Sequence, residues 1–223
     1  MSDRAPLTHS YSSIKMYENC PKRYLHERIN KDVVFEGSEA TRYGERVHSD
    51  LENRLQNAVP LPEESKKHEE LCVSLIELTK DAELLAERPL CLNANLTPTT
   101  WRASDAWLRS ILDVLIIKDE SAIVIDWKTG KRRVDFTQLD IFALQVFKHY
   151  PHIKSVKSSL VWLKENKLDC KTYKSNDTNL MWADLLARIE KINQSYITGN
   201  FPAKPSGLCP WCPAKNICEY AQI

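Results

Sequence analysis

Ile123-Val124-Ile125-Asp126-Trp127-Lys128-Thr129-Gly130 is an apolar run that carries an acid and a lysine two residues apart and stops at a glycine. In a β-strand, side chains at i and i+2 leave the same face. Asp126 and Lys128 would therefore point together, with Trp127 on the other face. A carboxylate can hold a divalent metal, and an ammonium beside it can stabilise charge on a phosphate. The spacing alone is weak, because Asp/Glu-x-Lys occurs four times: Glu64-Ser65-Lys66, Asp126-Trp127-Lys128, Glu165-Asn166-Lys167 and Asp169-Cys170-Lys171. Only the second lies in a strand apolar enough to be buried. Its meaning rests on the partners that the rest of the chain supplies.

Just upstream, Trp107–Ile117 reads as a strand, and the polar Lys118-Asp119-Glu120-Ser121 turns it into an antiparallel hairpin with Ala122–Lys128. Asp113 lies inside that apolar run, where an ionised carboxylate is costly unless it is paired or binds metal. Across the hairpin it falls roughly opposite Asp126. Two carboxylates so placed, with Lys128, form a site for Mg²⁺ or Mn²⁺ beside a scissile phosphate. The alternative is that Asp113 pairs with an arginine and Asp126 caps a turn. Glu87, at the start of an apparent strand before the hairpin, is a further metal ligand or else a solvated carboxylate at a helix end.

Farther out, Ser10, Ser12 and Ser13 precede a short helix that ends or breaks at Pro21, with Tyr11, Ile14, Tyr17 and Tyr24 as anchors. A helix fits residues 40–56, with Val47, Leu51 and Leu55 on one stripe and His48 and Glu52 on another face. Residues 59–68 read as a flexible, proline-bearing connection, and 69–86 as a second amphipathic helix through Leu71, Leu75, Leu78 and Leu85. Beyond Gly130 the pattern predicts a helix over 136–150, a hairpin over 156–173 and a helix over 176–198 ended by Gly199. The sum is a small, largely antiparallel sheet flanked by helices, α/β or α+β.

The 223 residues suffice for one sizeable core, and a single domain is the expectation. A net charge of +1 with 27% charged residues announces no global basic field, so nucleic-acid contacts would come from local clusters. No apolar leader or membrane-length run is present, which points to a cytoplasmic protein with no membrane partner. The seven cysteines are an odd number, and three of them crowd into the last fifteen residues as Cys209-x2-Cys212-x5-Cys218. A disulfide framework fits this poorly and a metal site fits it well. A fourth ligand must come from elsewhere, and Cys20, followed like Cys209 and Cys212 by a proline, is preferred. Cys72, Cys91 and Cys170 fall in segments that read as helix, strand and strand, where free cysteine behaves as a small buried hydrophobe. Four thiolates suit either a [4Fe–4S] cluster or Zn²⁺.

Gly44-x-x-x-His48-x-x-Leu51-Glu52, then a strand with a central Asp113, then Ile125-Asp126-x-Lys128-Thr129-Gly130 and a helix opening on Gln138-Leu139, resembles the RecB-type branch of the PD-(D/E)XK nucleases. Ser10-Tyr11-Ser12-Ser13-Ile14 through Cys20-Pro21-Lys22-Arg23-Tyr24 resembles that branch's N-terminal motif. Cys209-Pro210-Trp211-Cys212-Pro213 through Cys218 resembles its iron–sulfur motif. The likeness spans most of the chain except about 57–100, and is close to the CRISPR-associated iron–sulfur exonucleases and the AddB-type nuclease domain.

The resemblance implies a restriction-endonuclease-like core of a small mixed sheet, at 40–150, within one nuclease domain over 1–223. Segments 10–24 and 202–223 would form an iron–sulfur clasp through Cys20, Cys209, Cys212 and Cys218. It implies His48, Asp113, Asp126 and the Trp127 carbonyl as Mg²⁺ or Mn²⁺ ligands. Lys128 would orient water or stabilise the phosphorane, and Gln138 would act beside it. Phe142 stands where the branch often has a tyrosine, and Gln145, one turn on, is a substitute. Ser110 replaces a common glycine, and Leu112 the proline of the family's name. The implied activity is metal-dependent hydrolysis of DNA, as an exonuclease on single strands or ends, in a bacterial, archaeal or phage-infected cell and within a DNA-processing complex. Lys131, Arg132 and Arg133, with Lys22, Arg23 and Arg46, are candidate phosphate contacts. Trp101, Trp107 and Trp211 are candidates for stacking on bases. Two competing readings are a non-catalytic nucleic-acid-binding subunit that keeps the fold and cluster, and a zinc-ribbon-tailed structural protein.

Overall fold

A five-stranded mixed sheet organises residues 37–182 of the computed structural model, which describes residues 6–221. Its strands are β1 (Glu83–Leu92), β2 (Leu108–Lys118), β3 (Ser121–Lys128), β4 (Ser155–Trp162) and β5 (Lys167–Lys174), and they lie side by side in chain order. All neighbours are antiparallel except β3 and β4, which run parallel. Two parallel strands need a crossover, and helix α5 (Thr137–His149) supplies it.

The register of the β2–β3 hairpin sets the site. Val114 pairs with Ile125, so one step farther along both strands Asp113 meets Asp126. The two faces of the sheet are buried by different helices. On one side α5 packs Leu139, Phe142, Ala143 and Val146 against Leu115, Ile117 and Val124. On the other, α3 (Glu39–Asn57) and α4 (Glu69–Leu78) bring Val47, Leu51, Cys72 and Leu75 against Val114, Ile116, Ile125 and Trp127. Alternation of side chains therefore serves two buried faces, which is why β2 reads as a continuous apolar run.

Several sequence expectations need correction. The second amphipathic helix stops at Leu78 rather than 86, because Thr79 turns its hydroxyl back onto the Leu75 carbonyl (2.7 Å) and Glu83 already enters β1. Leu85 is thus a strand residue and Leu78 is exposed. Strand β1 begins before Glu87, and its Pro89 is tolerated because β1 lies at the sheet edge. The 59–68 connection is pinned to α3: Ser65 donates to Asp50 (2.5 Å), and Leu61 and His68 are buried.

The remaining described residues, 6–36 and 183–221, form a second compact unit. Helix α1 (Tyr11–Asn19) opens on a reciprocal cap in which Ser10 Oγ accepts the Ser13 N–H (3.2 Å) and Ser13 Oγ accepts the Ser10 N–H (2.8 Å). It ends at Cys20, and Pro21 opens the short helix α2 (Pro21–Tyr24). Tyr24 is fully buried between the Tyr17 and Phe201 rings, 5.7 and 6.4 Å away. From α6 (Asn179–Thr198), Arg188 grips Glu18 with two bonds of 2.6 and 3.0 Å, and the Lys191 carbonyl accepts the Tyr17 hydroxyl. These contacts join segments far apart in sequence into one unit. The tail residues 222 and 223 of the expected clasp lie outside the described residues. Among the described residues no helix is long and apolar enough to cross a membrane.

Candidate active site

The carboxyl ends of the parallel pair β3 and β4 are where ligands collect in open α/β sheets, and Asp126, Trp127 and Lys128 close β3 there. Helix α3 reaches this end because Gly44 has no side chain: a Cβ at that position would stand 3.0 Å from Thr129 Oγ1. One turn later His48 faces the strand. Its Nε2 stands 3.1 Å from the Trp127 carbonyl, to which it donates, and its Nδ1 is 3.3 Å from Asp113 Oδ1. The other Asp113 oxygen accepts the Trp127 backbone N–H at 2.7 Å. Asp113 thus replaces a rung of the sheet ladder and is not paired with an arginine.

Glu87 completes the group from the edge strand, in mid-strand rather than at a strand start. It has φ +44°, a left-handed conformation that an L-residue other than glycine adopts at a cost of about 1–3 kcal/mol. Ala86 still pairs with Val114 and Arg88 with Leu112, so the register is kept. The alternation is not: Leu112 lies on the α5 side and Val114 on the α3 side, although two residues apart should share a face. The break centres on Asp113 opposite Glu87. Its result is that one ligand atom each from His48, Glu87 and Asp113 lie within 4.8 Å of one another. Glu52, one turn beyond His48, lines the same cleft.

The electrostatics fit a site built for a cation. Burial raises the Glu87 carboxyl to about 7, with the Asp113 and Glu52 charges adding to it. Burial also raises Asp126, assisted by Asp113 and opposed by Lys128. At His48 burial disfavours the imidazolium, but the hydrogen bond and charge of Asp113 outweigh it and raise its pKa. An imidazole with two or three carboxylates and a backbone carbonyl is a donor set suited to Mn²⁺ or Mg²⁺.

Lys128 stands 2.5 Å from Asp126 Oδ2, an ion pair not aligned as a hydrogen bond, and donates to Gln138 Oε1 of α5 at 2.8 Å. Phe142 is core, and Gln145 cannot replace the tyrosine hydroxyl: it is fully buried and donates to the Leu108 carbonyl (3.1 Å). Of the expected phosphate contacts, Lys131 and Arg133 are exposed without a carboxylate partner among the described residues. Arg132 is held by Asp169 (2.8 and 2.5 Å), and Arg46 lies 3.4 Å from Glu64. Lys22 pairs with Glu219, and Arg23 with Glu27. Trp101 and Trp211 are exposed, and Trp101 is stacked by Arg109.

In the other unit, Cys20, Cys209, Cys212 and Cys218 line one cavity with Lys22, Arg23 and Lys204. The Lys204 and Ser206 backbone N–H groups donate to the sulfurs of Cys20 (3.5 Å) and Cys209 (3.3 Å), and burial raises the pKa of the Cys212 thiol. Zinc–sulfur bonds of ~2.3 Å would draw tetrahedral thiolates to about 3.8 Å from one another. Among the described residues no three cysteine sulfurs lie within 4.8 Å of one another. Cys72 and Cys91 are buried, as expected of structural cysteines, whereas Cys170 is exposed.

Residues 8–219 match the sequence profile of the PD-(D/E)XK nuclease superfamily. Among solved structures, the chain is similar to a protein from Eubacterium rectale described as a "Putative exonuclease", with 14% identity, a TM-score of 0.54, and coverage of 94% of this chain and 87% of that one. It is also similar to the protein SSO0001, with 13% identity, a TM-score of 0.49, and coverage of 99% and 89%. No curated protein matches the chain at a comparable level of significance.

Proposed function

The chain belongs to the PD-(D/E)XK nuclease superfamily, and from that premise we propose that it is a divalent-metal-dependent deoxyribonuclease of the RecB-like iron–sulfur branch, acting as an exonuclease on single strands or ends. The observation that carries this reading is the convergence of His48, Glu87 and Asp113 ligand atoms within 4.8 Å, beside the Asp126–Lys128 pair. His48, Glu87, Asp113, Asp126 and the Trp127 carbonyl would hold the metal. When bound, it supplies Lewis-acid stabilisation of the charge that builds on the phosphoryl group.

The chain's own residues do the rest. Gln138 and Asp126 hold the Lys128 ammonium at the end of β3, so its free N–H bonds can meet a phosphoryl oxygen or orient the attacking water. The Trp127 N–H fixes the Asp113 carboxylate, and without metal the Asp113 carboxylate and Trp127 carbonyl keep the His48 ring at the cleft, where one of its nitrogens would exchange its contact for the ion. Lys131 and Arg133 contact the backbone of the strand without reading sequence. For the cysteine cavity we favour a [4Fe–4S] cluster over zinc, because Cys20 with Cys209-x2-Cys212-x5-Cys218 is a one-plus-three arrangement resembling the branch's cluster motif, whereas structural zinc more often uses two paired knuckles. Its role is to hold that unit together.

The test is cleavage of 5′- and 3′-labelled single- and double-stranded DNA with Mn²⁺ or Mg²⁺. The expected result is degradation from ends, sparing of circular strands, and a loss of about 10²-fold or more in Lys128→Ala. Cleavage of circular strands would make it an endonuclease. DNA binding without cleavage would favour the non-catalytic subunit. Iron and acid-labile sulfide after anaerobic purification test the cluster, and stoichiometric zinc would replace it.

A further inference from the structure

A second cavity, of about 320 Å³, lies beside the metal cleft and is lined by Tyr43, Lys67, His68, Thr129, Leu163 and Lys164. Thr129 lines both cavities, so the two adjoin at the end of β3. Its walls follow the carboxyl ends of the two parallel strands, where the Leu163 N–H donates to the Lys128 carbonyl at 2.9 Å. The remaining wall comes from Tyr43 of α3 and from Lys67 and His68 of the connection between α3 and α4.

The charge here is unbalanced in one direction. Among the described residues no carboxylate lines the cavity, and three acids on the same loops are engaged elsewhere: Glu63 with Lys66 (3.2 Å), Glu64 with Arg46 (3.4 Å) and Glu165 with Lys167 (3.8 Å). Lys67 and Lys164 have no carboxylate partner among the described residues, and both are exposed. Lys67 is held in place by Tyr43, whose hydroxyl accepts from its ammonium at 3.3 Å and whose ring centroid is 5.9 Å from it. His68 is only 6% exposed, and its Nε2 has no hydrogen-bond partner. A buried polar atom left without a partner costs about 1–3 kcal/mol, and a bound anion would relieve it. Burial, with Lys67 beside it, lowers the His68 pKa.

We propose that this cavity is a phosphate-binding pocket, in which Lys67, Lys164 and His68 hold the phosphate of the nucleotide adjacent to the scissile bond and Tyr43 positions Lys67. The proposal rests on the nuclease reading for the identity of its ligand, but its test does not depend on cleavage.

The test is fluorescence anisotropy of a short labelled single-stranded oligodeoxynucleotide in EDTA, where no metal-dependent cleavage can occur. Three proteins are compared: wild type, Lys67→Ala/Lys164→Ala, and a control, Lys118→Ala/Lys157→Ala, that removes equal charge toward the opposite end of the sheet. The pocket variant is expected to bind at least about tenfold more weakly. The slope of log affinity against log salt should shrink by about 0.7, the value for one phosphate neutralised on a single strand. The control should stay near wild type, Lys67→Arg/Lys164→Arg should keep most of the affinity, and Mn²⁺ affinity should be the same in all. Equal weakening by the pocket and control variants would overturn the proposal, as would a wild type that binds no DNA. A wild type that binds through the pocket but never cleaves would leave the pocket standing and remove the nuclease reading.

Discussion

The two ligand clusters of this chain differ in scale. In the sheet unit, three ligand atoms from two strands and a helix crowd within 4.8 Å, held there by a strained Glu87 backbone. In the other unit four cysteines share a cavity, yet no three of their sulfurs come that close among the described residues. The first spacing suits a single ion, and the second belongs to the cavity for which a cluster is proposed. The difference also separates roles. Backbone strain and carboxyls raised by burial mark a place where stability is given up for chemistry, whereas the cysteine cavity is proposed to hold its own unit together.

The sharpest way to break that division is Asp126→Ala, which should lower DNA cleavage by about 10³-fold or more while the cysteine unit keeps its iron. Next in size, Cys209→Ser should lose the iron and lower the melting temperature by about 10 °C, with Mn²⁺ affinity at the sheet site unchanged. A fall in Mn²⁺ affinity would show that the two sites are not separate. Acid offers a third test. Burial, with Arg28 nearby, lowers the pKa of His9 in the cysteine unit to about 4. Below pH 6.5 the unfolded chain takes up a proton that the folded unit refuses until about pH 4. Stability is therefore present in full above that window and falls through it by roughly 3 kcal/mol. Denaturant titrations between pH 7 and 4 (roughly the span set by those values) should show that fall in wild type and a smaller one in His9→Gln. The smallest effect sharpens the strain argument. Glu87→Gly should weaken Mn²⁺ binding by about 10- to 100-fold and raise the metal-free melting temperature by about 2–4 °C. Calorimetry reads both, and a lower melting temperature would mean that the left-handed backbone is not a stored cost.

Much of the sheet site was legible because its geometry follows from a period of two and a short polar turn. Residues 118–121 set the hairpin, the hairpin sets Asp113 against Asp126, and i+2 spacing sets Lys128 beside Asp126. Gln138 lies on the helix that follows the strand, and His48 on a helix well before it, read through its motif with Gly44 and Glu52. Glu87 was harder to weigh, since a left-handed residue inside a strand leaves no mark in a pattern that assumes regular alternation. Helix α4 was overextended because Leu85 continues a helical period that the turn after Leu78 interrupts. Gln145 shares a helical face with Gln138 on paper, yet the Leu108 carbonyl draws it into the core. The pocket of Lys67 and Lys164 joins two loops 97 residues apart, a juxtaposition that only the folded sheet provides.

One preparation of Asp126→Ala, assayed for iron and for Mn²⁺-dependent release of label from single-stranded DNA, tests the central claim most directly. The account predicts a folded protein with a full iron complement and no release above background. Release near the wild-type rate would contradict it.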